Sequence, residues 1–425
     1  MRLIISLFVL LAFGYSVLMP IWEAPDEPAH YHIAWYLARA GRYPTLKINY
    51  EAGQPRTYYY TASLVIRALD KINPRLSDYF LPFEYKHNLR KPERRFDWTS
   101  DNYRFLLGVY LLRWINIVIG ALALWVSWKA IQVIAPDKPA LRLAAIALAG
   151  LTPQYLHITS SVSNDALGAL AGALLFYLAV RVVNERSKIL DLLSIVLALI
   201  FPLTTKLTVL PVSAALVIVI IWKWIINWHP KRWWLISGLA ILFGIGILYF
   251  LFPNAFQLAV NEINWRLFSL RKNALTNKYL TFILSQIIWT FWGKVGWIAI
   301  GLPAWIVNLL TVAWFIGASI NAAFLLKTRG ASSPHFKLWS VTWFIALFTI
   351  AAVMRNGLTT NASQGRFLFP AMGALSVLMI SGWHDVLPAR VQQIFPFIVV
   401  LFMVGINILL WLTGLLPAYF QPLLD

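Results

Sequence analysis

The chain has 425 residues, of which 60% are hydrophobic and only 12% are charged, and its mean hydropathy is +0.67. This composition excludes an ordinary soluble domain and indicates a polytopic membrane protein. In so apolar a chain the net charge of +19 suits anionic lipid headgroups, membrane topology or a phosphate-bearing substrate better than nucleic acid. The chain contains no cysteine, which excludes disulfides and thiolate chemistry.

The amino-terminal quarter predicts an anchor followed by a long polar loop. Residues 1–21 form an apolar run after Arg2, without a small-x-small cleavage site, which predicts a retained first transmembrane helix with a cytoplasmic amino end. Residues 22–104 are polar and too long for a turn, so they predict a large extracytoplasmic loop. Within it, residues 27–40 carry the apolar stripe of an interfacial amphipathic helix, and residues 56–69 form a second, aromatic-rich candidate.

Residues 105–425 predict a multi-span helical core, so that the whole chain, 1–425, is a single all-α membrane domain. Runs of roughly 20 apolar residues, the length that a bilayer requires, predict ten more spans and a total of about eleven. The ten predicted spans cover residues 105–134, 143–160, 166–183, 190–204, 207–226, 234–253, 297–326, 337–354, 366–383 and 392–415. Alternate short loops carry Lys and Arg and are therefore cytoplasmic, which places the opposite loops outside with the first loop.

Two adjacent acids stand at the outer end of the first span. An ionised Asp26 or Glu27 could take a proton from an acceptor hydroxyl, or could hold a divalent cation such as Mg²⁺ or Mn²⁺ together with His30. His30 could alternatively carry a proton. Asp26 is also a good helix N-cap before Pro28, and the local pattern taken alone favours that structural interpretation.

Further polar residues interrupt the apolar spans on the same predicted side. Asn164 and Asp165 begin a span, where an acid complements the helix dipole or contributes to a site. Arg113 lies inside the second span, and an intramembrane arginine usually faces a bundle interior and pairs with an anion. Lys206 lies between two prolines, where it is either an interfacial anchor or a phosphate contact.

Two later segments offer candidate substrate contacts. The tryptophan-rich segment 286–297 contains Trp292 and Lys294, which suits either an interfacial aromatic belt or a platform for stacking a sugar ring. Gln364 and Arg366 open a later span. A guanidinium beside free backbone N–H groups at a helix amino end can bind phosphate, although an arginine there can also merely mark the membrane boundary.

Four motifs follow one another along the chain: PDEPAHY (25–31), SNDA (163–166), FWGKVGW (291–297) and QGRFLFP (364–370). With these motifs in this order, the chain resembles a family of uncharacterised bacterial polytopic membrane proteins that are grouped with the GT-C glycosyltransferases, enzymes that use polyprenyl-phosphate-linked sugars. The resemblance implies a GT-C fold with a catalytic acid in the first extracytoplasmic loop, which falls on Asp26, with Glu27 as the neighbouring candidate.

These observations predict a glycosyltransferase of the bacterial inner membrane with an extracytoplasmic active site. The donor would be a polyprenyl-phosphate-linked sugar delivered from the bilayer, and the acceptor a glycan, lipid or protein of the cell envelope. Asp26 would act as general base, while Arg366, Lys206 and Arg113 stabilise the departing lipid phosphate. The alternative is a secondary transporter or flippase of a lipid-linked saccharide or another anion. The sequence shows no GxxxxGK loop, so such a carrier would be secondary and not ATP-driven. It also shows no clear internal repeat, which many transporter folds have, and this favours the enzyme.

Overall fold

A computed structural model describes residues 1–78, 106–226, 274–327, 334–360 and 363–420, with isolated positions between 257 and 270. Helix dominates these ranges, as expected for a chain that must satisfy its backbone hydrogen bonds within lipid. The helices are α1 (Arg2–Leu18), α2 (Glu27–Ala40), α3 (Thr57–Ile72), α4 (Leu107–Ile134), α5 (Pro139–Leu151), α6 (Pro153–Thr159), α7 (Asp165–Asn184), α8 (Lys188–Thr204), α9 (Leu210–Ile226), α10 (Asn277–Trp292), α11 (Ala304–Lys327), α12 (Pro334–Thr359), α13 (Met372–Val386), α14 (Ala389–Leu410) and α15 (Leu416–Tyr419).

Short elements connect these helices at their ends. Among the described residues, four 3₁₀ helices are found at Tyr50–Gly53, Pro74–Ser77, Leu207–Val209 and Gly365–Ala371, and a π-helical turn at Trp411–Leu415 joins α14 to α15. A two-residue antiparallel pair, β1 (Lys294–Val295) and β2 (Ile300–Gly301), follows α10. The chain is therefore helical throughout the described ranges, apart from this hairpin and the connections.

Seven segments of the described ranges are long and apolar enough to cross a bilayer, which confirms a multi-pass helical membrane protein. They are Leu107–Ile134, Asp165–Asn184, Leu207–Ile225, Ala304–Lys327, His335–Thr359, Gly365–Val386 and Ala389–Tyr419. Arg2–Leu18 and Pro139–Leu151 are shorter apolar helices. The predicted total of eleven spans is not confirmed, and the predicted span 234–253 lies outside the described residues.

Two predicted segments differ from the structure. The predicted span 143–160 divides into α5 and α6, because Pro153 lacks the N–H that would continue the helix from α5. The predicted loop 253–296 contains α10, which begins where the Thr276 hydroxyl accepts from the Tyr279 N–H and ends at Gly293. Hydropathy alone did not indicate this helix.

Helix α10 lies across one end of the bundle instead of crossing it. Near its start the Tyr279 hydroxyl donates to the carbonyl of Gly357 at 2.9 Å, and near its end the Thr290 hydroxyl accepts from the Gly365 N–H at 2.7 Å. Gly357 and Gly365 both flank the short connection between α12 and α13, so both ends of α10 contact the same end of the bundle. We call this end the site end.

The first-loop helices were predicted at nearly their observed positions. Helices α2 and α3 pack on each other and on α4 through a second apolar cluster, which includes Trp22, Tyr31, Tyr58 and Tyr59. The main core lies between the long helices and is continuous from α1 to α14. The basic sequence KHNLRKPERR (86–95) of the first loop lies outside the described residues.

Candidate active site

The turn between α1 and α2 presents Asp26 to the site end. Asp26 has a left-handed backbone with φ 62° and occupies the N-cap position of α2, yet its side chain makes no capping hydrogen bond. Aspartate tolerates this conformation better than most residues, and strain of this kind is concentrated at functional sites. The side chain is therefore available for other contacts. The predicted capping of α2 by the Asp26 side chain is not observed.

Asp26 is joined to residues from three distant segments by a chain of ion pairs. Arg366 Nη2 lies 2.6 Å from Asp26 Oδ2, and Arg366 Nη1 lies 3.5 Å from Asp165 Oδ2. Lys206 Nζ lies 2.7 Å from Asp165 Oδ1. Two acids and two bases thus alternate in one network, which we call the four-charge cluster (Asp26, Arg366, Asp165 and Lys206).

Small residues permit the close approach of these segments. A Cβ at Gly365 would lie 2.3 Å from the Phe291 backbone nitrogen, so only glycine allows the segment that carries Arg366 to pack directly on α10. A Cβ at Gly172 would likewise lie 2.3 Å from Pro370 Cα. The 3₁₀ helix 365–371 is thereby fixed between α10 and α7, and α7 carries Asp165.

The cluster retains polar atoms that have no hydrogen-bond partner within the described ranges. Arg366 Nε is buried and unpartnered, and so is the Oδ1 oxygen of the adjacent Asn164. Asn164 Nδ2 donates weakly to Gln54 Oε1 at 3.4 Å. Leaving a buried donor or acceptor unmatched costs about 1–3 kcal/mol, so these atoms mark a place where a ligand with both an acceptor and a donor would fit.

Electrostatics separate the acids at this end of the bundle. Burial raises the pKa of Asp26, but the charge of Arg366 and its hydrogen bond outweigh burial and hold that pKa at about 2, below the ordinary value of 3.8. Burial, followed by the negative charge of Asp26, raises the pKa of Glu51 above its ordinary value. Asp26 is therefore a firmly ionised anion, whereas Glu51 holds a proton more readily.

The predicted catalytic Glu27 and substrate-binding Arg113 lie in a separate, buried pair. Arg113 Nε and Nη2 contact the two carboxylate oxygens of Glu27 at 2.8 and 2.6 Å. The remaining Arg113 N–H groups donate to the carbonyls of Ser16, Met19 and Pro20. Because every guanidinium donor is engaged, we interpret this pair as structural instead of substrate-binding.

The predicted metal ligands do not converge. Glu27 faces Arg113, and His30 Nδ1 is hydrogen-bonded to the Tyr59 hydroxyl at 2.7 Å. Across the described ranges, no group of three or more His, Asp or Glu side chains could hold a metal ion. The set of Asp26, Glu27 and His30 therefore does not fit Mg²⁺ or Mn²⁺. Burial also lowers the pKa of His30 to about 3, with Lys206 acting in the same direction, so the ring is neutral at pH 7 and poorly suited to carry a proton.

The predicted aromatic platform packs inside the protein. Trp292 is buried, and its indole Nε1 donates to the Thr311 hydroxyl at 2.9 Å. Lys294 pairs with Gly301 in the hairpin, its N–H donates to Gln154 Oε1, and its ammonium lies 5.9 Å from the centre of the Trp289 ring. These contacts give Trp292 a packing role and leave the sugar-stacking hypothesis without an exposed Trp292 face.

The amino end of the 365–371 helix also differs from its prediction. Gln364 is the N-cap residue without a side-chain cap, and its carbonyl accepts from the Phe367 N–H. The Gly365 N–H, predicted to be free for phosphate, already donates to Thr290. The guanidinium of Arg366, rather than the backbone, is thus the donor that this segment offers.

Three residues of the first loop were missed from sequence. The Tyr50 hydroxyl donates to Asp26 Oδ1 at 3.1 Å, Gln54 contacts Asn164, and Glu51 interacts electrostatically with Asp26, Lys206 and Arg366. They belong to the 3₁₀ helix 50–53 and its C-cap, a segment without hydropathy periodicity. Asn49 before it is a helix-capping residue, and together with Gly53 and Pro55 it was the local signal of a fixed turn here.

Comparison with solved structures defines the class of fold, which is a GT-C-like polytopic membrane fold. The crystal structure of ArnT from Cupriavidus metallidurans bound to undecaprenyl phosphate matches 92% of this chain with a TM-score of 0.53 and 12% sequence identity. This chain spans 60% of the length of that protein. The apo structure of the same protein matches with a TM-score of 0.45 and 12% identity, over 92% of this chain and 61% of that one. No protein-family model and no curated protein matches the sequence. The predicted GT-C-like fold is confirmed.

Proposed function

We propose that this protein is a membrane glycosyltransferase that uses a polyprenyl-phosphate-linked sugar as donor. One observation carries the proposal: Arg366 bridges Asp26 and Asp165 at one end of a GT-C-like bundle, and Lys206 extends the bridge. The fold neighbour ArnT was crystallised with undecaprenyl phosphate, a polyprenyl phosphate of the kind that the proposed donor would release. The acceptor is a hydroxyl-bearing molecule of the cell envelope, and the site faces the extracytoplasmic side.

The two cations of the cluster suit the leaving group of such a reaction. The acceptor oxygen forms a bond to the anomeric carbon while the bond from that carbon to the phosphate oxygen breaks, and the electron pair remains on the phosphate. Arg366 and Lys206 would bind the phosphate and stabilise the charge that develops there. Arg366 Nε, which has no hydrogen-bond partner in the part of the chain that the structure describes, would supply one donor without breaking an existing hydrogen bond.

Donor binding would also prepare Asp26 for its proposed role as general base. A carboxylate with a pKa of about 2 is a weak base while Arg366 holds it at 2.6 Å. A phosphate competes with that carboxylate for the same guanidinium, because both are bidentate acceptors for arginine. Once Arg366 turns to the phosphate, burial raises the Asp26 pKa and Asp26 can accept the acceptor proton. A single displacement of this kind inverts the anomeric configuration.

The test is transfer of a radiolabelled sugar from polyprenyl phosphate to an envelope acceptor by Asp26→Asn. We expect the rate to fall about 10²- to 10⁴-fold, the usual contribution of a general base, with normal expression and melting temperature. Asp385→Asn is a matched control, because Asp385 is also paired with a cation at 2.6 Å but its partner is Lys138. We expect that control to retain its rate.

Two results would count against these assignments. Unchanged transfer by Asp26→Asn would remove Asp26 as the base. A wild-type protein that makes no glycosidic bond, yet moves a lipid-linked saccharide across vesicle bilayers, would replace the enzyme with the transporter or flippase.

A further inference from the structure

A third carboxylate, Glu51, stands beside the four-charge cluster and has no role in the function proposed above. Within the described ranges it forms no salt bridge, whereas Asp26 and Asp165 each pair with a cation. Glu51 nevertheless interacts electrostatically with Arg366, and with Asp26 and Lys206. An acid close to two cations, but paired with neither, is unusual for a purely structural residue.

The backbone around Glu51 is fixed on several sides. Its N–H donates to Asn49 Oδ1 at 2.8 Å, and Asn49 Nδ2 donates in turn to the Ala29 carbonyl in α2 at 2.9 Å. On one side Tyr50 reaches Asp26, and on the other Gln54 reaches Asn164. The 3₁₀ helix thus holds Glu51 between two contacts to the site, which is how a working carboxylate is positioned.

From this placement we propose that Glu51 is a further catalytic residue, which receives the proton that Asp26 removes from the acceptor hydroxyl. The proposal rests on the transferase function above. The O–H bond of the acceptor breaks, its electron pair forms the glycosidic bond, and the proton passes through Asp26 to Glu51 and then to water. Asp26 is restored as an anion that can pair again with Arg366 when the lipid phosphate leaves.

The surroundings of Glu51 suit a transient proton store. Asp26 disfavours its ionised form, whereas Lys206, Arg366 and the Gln54 side chain favour it. Tyr43 and Tyr59 also face Glu51, and both hydroxyls are neutral because burial raises their pKa values. When the lipid phosphate leaves and Arg366 pairs with Asp26 again, the Asp26 pKa falls back to about 2, below the raised pKa of Glu51, and the proton moves downhill from Asp26 to Glu51.

The experiment compares the pH dependence of kcat in wild type, Glu51→Gln and Glu51→Asp. Glu51 must be deprotonated to accept a proton, so wild-type kcat is high above its pKa and is lost as the pH falls through that value. We expect Glu51→Gln to reduce kcat on the order of 10²-fold and to abolish this acidic limb, with the donor KM unchanged. Glu51→Asp should recover part of kcat and the limb.

Glu185→Gln is the matched control, because Glu185 pairs with Arg181 at the junction of α7 and α8, the end of α7 opposite Asp165. It should keep both kcat and the pH profile of wild type. Active wild type together with a Glu51→Gln variant of unaltered kcat and profile would overturn the role of Glu51 alone. Absence of transfer by wild type would instead overturn the transferase function, and this inference with it.

Discussion

Two neighbouring carboxylates on the same turn have opposite surroundings. Glu27 is fully buried, receives a bidentate contact from Arg113, and also accepts from the backbone N–H groups of Trp22 and Val162. The Asp26 side chain, one peptide bond away, is 20% exposed and contacts the tip of Arg366 through one oxygen. The left-handed backbone of Asp26 directs the two side chains to different partners.

This difference separates an ion pair that builds the fold from one that can exchange partners. Around Arg113 every donor has a protein acceptor, so a ligand could bind there only by breaking strong contacts in a low dielectric. Around Arg366 one donor is unpartnered within the described ranges, and the acid it holds is partly exposed. If charge and burial alone were used to select a functional site, the more deeply buried pair of Arg113 and Glu27 would be chosen over the pair of Arg366 and Asp26.

The largest effect on stability is expected when the charge of Glu27 is removed. Glu27→Gln leaves Arg113 buried without a counter-charge, which costs about 3–5 kcal/mol when one partner of a buried pair is lost. We expect a large drop in melting temperature in detergent, or loss of folded protein from the membrane. Asp26→Asn, measured beside it, should melt close to wild type. Equal melting temperatures of the two variants would contradict the distinction between a structural ion pair at Glu27 and an exchangeable one at Asp26.

A smaller effect is expected when the guanidinium of Arg366 is replaced. Arg366→Lys keeps the charge but loses Nε and the fork that spans Asp26 and Asp165. We expect the donor KM to rise about 10- to 100-fold, or roughly 1.4–2.7 kcal/mol, with little change in stability. Arg181→Lys, which alters a pair at the end of α7 away from the cluster, serves as the control. A donor KM equal to that of wild type would exclude Arg366 as the phosphate ligand.

The smallest effect is expected at the rim of the cluster. Tyr50→Phe removes the hydrogen bond that stabilises ionised Asp26, so the Asp26 pKa rises, but the hydroxyl lies on an exposed residue. A bond of this kind contributes about 0.5 kcal/mol, and we expect transfer to change about two- to threefold, measured as kcat across pH. Tyr60→Phe alters a similarly exposed tyrosine and should have no effect. A tenfold loss in Tyr50→Phe would show that this hydroxyl takes part in the chemistry.

Much of the fold could be predicted because bilayer crossing imposes one simple requirement on sequence. Apolar length identified the seven long segments, and the amphipathic stripe identified α2. The pattern failed at α5 and α6, where one proline divides an apolar run. It also failed at α10, which is too short to cross and packs on the end of the bundle. Hydropathy gives the length of an apolar segment, but it does not show whether the helix crosses the bundle or packs across its end.

The main charged residues of the candidate site were predicted from sequence, but their separate roles were not. Asp165, Lys206 and Arg366 begin or interrupt apolar segments, where a charge is costly, and Asp26 stands directly after the first apolar run, so all four were visible in sequence. Glu51 was missed because it lies in a polar loop, where an acid carries no such cost. The sequence could not distinguish the role of Asp26 from that of Glu27 either. Asp26 pairs with Arg366 and Glu27 pairs with Arg113 on α4, and both partners are distant along the chain.

Helix α10, which lies at the site end of the bundle, is joined directly to the segment that carries Arg366. The Gly365 amide is tied to Thr290 of this helix, and the next residue is Arg366. A tilt of α10 would thus shift the guanidinium relative to Asp26. Under the transferase function proposed above, lipid packing at the site end becomes a determinant of turnover, and we expect transfer rates to differ between bilayers of different headgroup spacing.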